Sequence, residues 1–126
     1  MHYLTVEDAI VLMDRMGLHA RDLGLLATAV GRPQTSVFGE DVYPSLELKI
    51  ASMMESLNQN HPLIDGNKRL SWMCSIAFAR LNGFDLRGTQ DDIFDIVMRV
   101  AEGRVELPEL ADWMRTHLHP RSKSLV

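Results

Sequence analysis

Residues 61–69 read His61, Pro62, Leu63, Ile64, Asp65, Gly66, Asn67, Lys68 and Arg69, and they stand directly before a long apolar segment. From position 70 to position 81 most residues are apolar, among them Trp72, Cys74, Ile76 and Phe78, and no Pro or Gly intervenes before Gly83, a stop signal. The pattern predicts a helix over about 67–82. Its apolar surface wraps most of the way round, which predicts burial on several sides and a place as the central pillar of the fold. At the start of such a helix the amides of Asn67, Lys68 and Arg69 have no acceptor within the helix, and the helix dipole adds partial positive charge at the same end. A helix end of this kind binds anions. Gly66 permits positive φ or a close backbone approach, and Lys68 and Arg69 add full charge. Asp65 is a hard oxygen ligand of the kind Mg²⁺ takes beside a polyphosphate, with phosphate oxygens and water filling the rest of the shell. His61 can take a proton near neutral pH. A base, a metal ligand and an anion hole together describe phosphoryl or nucleotidyl transfer to a hydroxyl.

Upstream, Thr5 with Asp8 has the form of a capping box, and Val6, Ala9, Ile10 and Met13 mark one face of a helix that Gly17 ends. Asp22 caps a second helix with the stripe Leu23, Leu26, Ala27, Val30, broken by Gly31 and Pro33. Residues 31–44 change to turn formers and alternating residues, which predicts a loop or short hairpin, and a loop of this length in a compact domain is often functional. Ser45 caps a third helix whose Leu46, Ile50, Met53, Met54 and Leu57 keep one face, with Lys49 on another, solvated face. Pro62 disfavours the helical conformation at His61, so the loop begins there. Downstream, residues 84–88 turn the chain. Thr89 with Asp92 caps a fifth helix (Ile93, Ile96, Val97, Val100, Ala101) that ends at Gly103. Pro108 suits the first turn of a sixth, with Leu110, Ala111, Met114 and Leu118 as its stripe. His117 and His119 are two apart, on different faces of a helix, which makes a metal pair improbable. The polar tail 120–126 is expected to be loose.

The stretch HPLIDGNKR resembles the signature of the Fic/Doc family, in which Fic enzymes read HPFx(D/E)GNGR and death-on-curing (Doc) toxins read HxFx(D/N)(A/G)NKR. Lys68 is the Doc-like choice. The chain length, the helical pattern and the RPQ at 32–34 with Tyr43 and Pro44 roughly ten residues on extend the resemblance over about the whole chain. It implies an all-α orthogonal bundle of about six helices around a central buried helix, with a flap. It also implies that His61 is the general base, Asp65 the Mg²⁺ ligand, Gly66 and Asn67 parts of the anion hole, and Lys68 and Arg69 phosphate contacts, with ATP as substrate. Leu63 stands where Phe is usual, and Trp72 where many Fic enzymes carry a second Arg. The segment 31–44 resembles the flap that aligns a target polypeptide by strand addition, which makes Arg32, Gln34, Thr35, Ser36, Val37 and Phe38 candidate target contacts. The plain alternative is a packed connection with Phe38 tucked into the core.

By this resemblance the chain is a toxin of a toxin–antitoxin pair, a Doc-type kinase that phosphorylates a protein hydroxyl, on a translation factor such as elongation factor Tu, and that a cognate antitoxin restrains. Gly in place of Lys68 goes with adenylyl transfer, which is the second reading. A non-catalytic module serving as an antitoxin's corepressor is the third. Some Fic proteins carry an inhibitory (S/T)xxxE(G/N) helix. The nearest match, SVFGED at 36–41, fails at its last position, which again points to restraint by a separate antitoxin, for instance a disordered segment that folds on binding.

Composition sets the bounds. A length of 126 residues predicts one domain, spanning 1–126, with enough core to fold without disulfides. The net charge of −4 argues against direct nucleic-acid binding, which needs a concentrated basic face. There is no apolar run near the ~20 residues of a membrane span and no secretory pattern at the N-terminus, so a cytoplasmic location without membrane contact is the default expectation. Cys74 is the single cysteine and falls within the apolar segment, where a small core residue is expected, and core filling is the expected use of the eight methionines.

Overall fold

The structure, a computed structural model, describes residues 1–122. Side-chain oxygens start most of its helices. In α1 (Val6–Arg15) the Thr5 hydroxyl accepts from the Asp8 N–H at 3.1 Å while the Asp8 carboxylate accepts from the Thr5 N–H at 3.0 Å, the reciprocal capping box. Asp22 caps α2 (Leu23–Gly31) through the Leu25 N–H, and Ser45 caps α3 (Leu46–Asn60) through the Leu48 N–H. After α4 (Asn67–Leu81), Thr89 caps α5 (Gln90–Ala101), here without the reciprocal bond from Asp92, and Pro108 lies in the first turn of α6 (Leu107–His117).

The helix at the centre is α3, not the α4 that its apolar run predicts. Nine residues all round α3 are buried, and it packs against α2, α4, α5 and α6. In α4 burial is confined to one stripe, Leu70, Ser71, Cys74, Ser75, Phe78 and Ala79, with Met73 and Leu81 at the surface. Polar residues disguise α3 in the sequence, and each finds a partner inside. The Ser52 hydroxyl donates to the Lys49 carbonyl at 2.8 Å, and the Asn58 amide donates to the Met54 carbonyl and the Ser71 hydroxyl, both at 2.9 Å. Lys49, expected on a solvated face, is 1% exposed. Its ammonium donates to the Tyr43 carbonyl and, at 3.1 Å, to the Asp41 carboxylate, and lies 5.5 Å from the centre of the Tyr3 ring. A desolvated cation needs such partners.

Between α2 and α3 a turn of 3₁₀ helix (Arg32–Gln34) leads into a hairpin of β1 (Ser36–Val37) and β2 (Glu40–Asp41), with Ser36 opposite Asp41 and Val37 opposite Glu40. Phe38 and Gly39 both take positive φ, 52° and 79°, as a two-residue type I′ turn requires. Phe38 is fully exposed, so the alternative in which it plugs the core is excluded.

The far end of the chain also differs from expectation. Residues 84–86 do more than turn. They form β3 (Phe84–Leu86), antiparallel to β4 (Leu118–Pro120), and the Arg121 N–H donates to the Gly83 carbonyl at 3.0 Å. The tail expected to be loose from 120 is therefore tied down as far as Arg121, and its remainder from 123 lies outside the described residues. Leu118 starts β4 instead of closing α6. Cys74 is fully buried at the α4 stripe, where burial, with a smaller contribution from the Asp8 charge, pushes its thiol up to about 12 and keeps it protonated. Among the described residues no helix is long and apolar enough to cross a membrane.

Candidate active site

The loop between α3 and α4 carries the predicted site. α3 stops at Asn60, and His61 follows in the left-handed region at φ 49°, ψ 58°. His61 and Phe38 are the non-glycine residues with positive φ among the described residues. The proline effect accounts for the end of the helix but not for this reversal. The reversal is held by a neighbour that the sequence reading missed. Arg21 donates from Nε to the His61 carbonyl at 2.8 Å and from Nη2 to the Asn60 carbonyl at 3.0 Å, and so gives the carbonyl end of α3 the cation it favours. The backbone around Arg21 does the rest. The N–H groups of Arg21 and Asp22 both donate to the Pro62 carbonyl, the Ile64 N–H donates to the His19 carbonyl, and Ala20 bridges Leu63. No local pattern announces an Arg that works forty residues away.

Leu63, in the place where the family has Phe, is 1% exposed and anchors the loop in the core. Asn67 fastens the loop to the helix. Its Oδ1 accepts from the Leu63 N–H at 2.9 Å and its Nδ2 donates to the Leu63 carbonyl at 3.2 Å. The side chain of Asn67 is thus committed to the loop, and its backbone N–H is what faces the helix end. Gly66, at φ 87°, is the N-cap of α4, and no side-chain oxygen caps this helix as Thr5, Asp22, Ser45 and Thr89 cap theirs. The first amide to bond back is that of Leu70, to the Gly66 carbonyl at 2.9 Å. The N–H groups of Asn67, Lys68 and Arg69 are left open at the positive end of the dipole.

These groups line one pocket of about 340 Å³, bounded by Asn58, His61, Asp65, Gly66, Lys68 and Arg69, with Ala101 of α5 opposite. Lys68 and Arg69 are exposed and form no ion pair among the described residues. Asp65 is exposed, and its Oδ1 accepts from the Gly66 N–H at 2.8 Å. Among the described residues no cluster of three acidic, His or Cys side chains could hold a metal unaided. A lone carboxylate beside an anion pocket fits Mg²⁺ shared with a phosphate chain, since that ion keeps several water and phosphate oxygens. A second groove of about 650 Å³ shares Lys68 and Arg69 and runs between α4 and α5, walled by Trp72, Ile93, Phe94 and Val97. Trp72 meets Trp113 edge to face, 6.1 Å between centres, and His117, away from the site, stacks on Trp113 at 3.7 Å.

The six candidate flap residues fall into two groups. Gln34, Thr35, Ser36, Val37 and Phe38 are exposed along the hairpin. Arg32 turns inward. Its guanidinium donates to the Tyr43 hydroxyl, the Ser52 carbonyl, Glu55 and Ser56. Burial opposes its charge, but the hydrogen bonds to Glu55 and Tyr43 outweigh burial and raise its pKa. Arg32 and Lys49 together fix the base of the hairpin. Residues 36–41, the nearest match to an inhibitory helix, form that hairpin instead of a helix.

Gly66 is required twice over, by its positive φ and by the Leu18 methyl carbons, which lie 2.7 and 2.8 Å from where a Cβ would stand. Gly66→Ala is expected to cost about 2 kcal/mol, from left-handed strain together with overpacking. The shift of the urea midpoint measures it, and an unchanged midpoint would show that Leu18 gives way freely.

An uncapped helix end thus shares a pocket with a histidine, a carboxylate and two cations within a six-helix bundle, an arrangement that could hold an anion. The family profile described as the Fic/DOC family matches residues 2–79, and "Toxin Doc" of Mycolicibacterium smegmatis is 42% identical over 96 residues, covering 75% of this chain and 74% of that protein. The chain belongs to the Fic/DOC family.

Proposed function

We propose that this protein is the toxin of a toxin–antitoxin pair and acts as a kinase that moves the γ-phosphoryl group of ATP to a hydroxyl of a protein target. The observation that carries the proposal is the uncapped N-terminus of α4, whose open amides share a pocket with His61, Asp65, Lys68 and Arg69. The similarity to a protein named Toxin Doc supports the toxin part. The identity of residue 68 as Lys, by resemblance, supports phosphoryl over adenylyl transfer.

In the proposed reaction the phosphates of ATP lie against the amides of Asn67, Lys68 and Arg69, where fixed dipoles and two cations meet charge without reorganising. The groove between α4 and α5 offers apolar and aromatic walls to the nucleoside. His61 takes the proton of the target hydroxyl. The hydroxyl oxygen then bonds to the γ-phosphorus as the bond from that phosphorus to the bridging oxygen breaks, and ADP leaves with the electron pair. Mg²⁺, held by Asp65, would neutralise charge on the phosphate oxygens. The hairpin, with Val37 and Phe38 at its exposed end, presents the target segment by strand addition. The target proposed is a translation factor such as elongation factor Tu, and the partner that restrains the activity is a cognate antitoxin.

Asp65→Ala tests the metal assignment. Transfer should fall by at least about 10²-fold, and raised Mg²⁺ should restore part of it, because the phosphates still supply ligands. Loss without any recovery at high metal would make Asp65 a loop residue only. Incubating the protein with nucleotide labelled in the γ- or, in parallel, the α-phosphate and a bacterial lysate tests the proposal as a whole. A band carrying the γ label is expected; a band that only α-labelled nucleotide produces would favour adenylyl transfer, and transfer of neither label would favour the non-catalytic corepressor.

A further inference from the structure

We propose that Asn58 is a positioning residue whose side-chain carbonyl receives the Lys68 ammonium and so decides where that cation stands in the phosphate pocket. Asn58 is 1% exposed, lies on α3 one turn before His61, and forms part of the pocket wall. Its amide orientation is fixed by two partners. The Met54 carbonyl can only accept, and the Ser71 hydroxyl gives its own proton to the Lys68 carbonyl at 2.8 Å and therefore takes one from Asn58 Nδ2. That leaves Asn58 Oδ1 buried with no hydrogen-bond donor among the described residues. A buried acceptor without a donor is rare enough to need an explanation.

The pocket itself narrows the choice of donor. The Asn67 amide is committed to the Leu63 carbonyl, and an Arg69 nitrogen lies close over Gly66, 3.3 Å from the position of a Cβ there. The ring of His61 must stay open to the incoming hydroxyl. Phosphate oxygens ionised near neutral pH have no proton to give. Lys68 carries three donors and, among the described residues, no ion pair, and its own backbone carbonyl is two hydrogen bonds from Asn58 by way of Ser71. A neutral carbonyl suits the task, since it holds the ammonium without cancelling its charge and leaves two N–H groups for phosphate. In this way α3, the central helix, sets the position of the cation on α4 on which the choice between terminal and inner phosphate rests. That last step, and the setting aside of the His61 ring as the donor, rest on the function proposed above, whereas the unanswered buried carbonyl does not.

The chain has three lysines, Lys49, Lys68 and Lys123, so the Lys68 ammonium resonance is assigned with one substitution, Lys68→Met, and the buried Lys49 is then told from Lys123 by a second, Lys123→Met. Removing Lys68 should shift the side-chain carbonyl carbon resonance of Asn58, because Oδ1 loses its donor, and this holds with or without nucleotide. An identical Asn58 resonance in both proteins would overturn the proposal. In the reverse direction, Asn58→Leu should broaden the Lys68 ammonium signal into exchange with solvent while the buried Lys49 signal, a marker of the intact fold, stays in place. In transfer assays Asn58→Leu should lower the kcat/KM for ATP about tenfold, and cost nothing further once Lys68 is already Met. Equal losses in the two backgrounds would mean a structural role only. If nucleotide fails to perturb the amides of Asn67, Lys68 and Arg69 at all, the phosphate-site reading falls, and the Asn58 resonance still decides the contact.

Discussion

Replacing His61 by Ala is expected to abolish growth arrest and target labelling together, with transfer reduced by about 10²- to 10⁴-fold, the usual contribution of a general base, the role proposed for His61. No other side chain in the pocket can take its place. Asp65 is assigned to the metal, Asn67 is bonded at both ends to Leu63, and Lys68 and Arg69 are cations without an acceptor. The fold should survive, because His61 is exposed, and what Arg21 holds is its backbone carbonyl, which Ala keeps. A melting curve close to that of the unmutated chain, with nucleotide still bound, separates loss of the base from loss of structure. Undiminished arrest on expression of the variant would remove His61 from the mechanism.

Lys68→Gly is expected to have the second large effect, a change in which phosphorus is attacked. The cation stands on the second residue of α4, on a long stem that occupies part of the anion pocket. In the proposed reading, its presence leaves room for a terminal phosphate and crowds the inner phosphates that adenylyl transfer must place there. Gly removes both the volume and the charge. The variant should lose most γ-phosphoryl transfer and gain some transfer of adenylate, read by nucleotide labelled in the α- or the γ-phosphate. The gain should be small, since Trp72 is packed against Trp113 where many Fic enzymes by resemblance carry a second Arg. Gly near the start of a helix costs up to about 1 kcal/mol, which leaves the fold in place.

What the sequence made legible was local. Thr5, Asp22, Ser45 and Thr89 announce helices because a cap is a bond between residues three apart, and all four cap in the structure. The positive φ of Gly66 and the hairpin in 31–44 were legible for the same reason, since both are decided within a few residues. The features that escaped are those made at long range. Lys49 looks like a solvated residue until Tyr43 and Asp41 close over it. Arg21 has no signature, because its partners are the carbonyls of Asn60 and His61. β3 pairs with a strand more than thirty residues on, and three residues show too little alternation to declare themselves. The apolar run of α4 overstated its burial because Met73 and Leu81 remain outside, whereas α3 conceals its burial behind Lys49, Ser52 and Asn58. The motif itself was readable, but the bracing by Arg21 behind it and the unanswered carbonyl of Asn58 were not, and both bear on how the loop works.

The mass of the modified target tests the central claim most directly. Purified protein incubated with ATP, Mg²⁺ and the bacterial proteins it labels should leave the target heavier by one phosphate on a Ser or Thr hydroxyl, with ADP released in equal amount. A target heavier by an adenylate, with pyrophosphate released instead, would contradict phosphoryl transfer and assign the pocket to the inner phosphates.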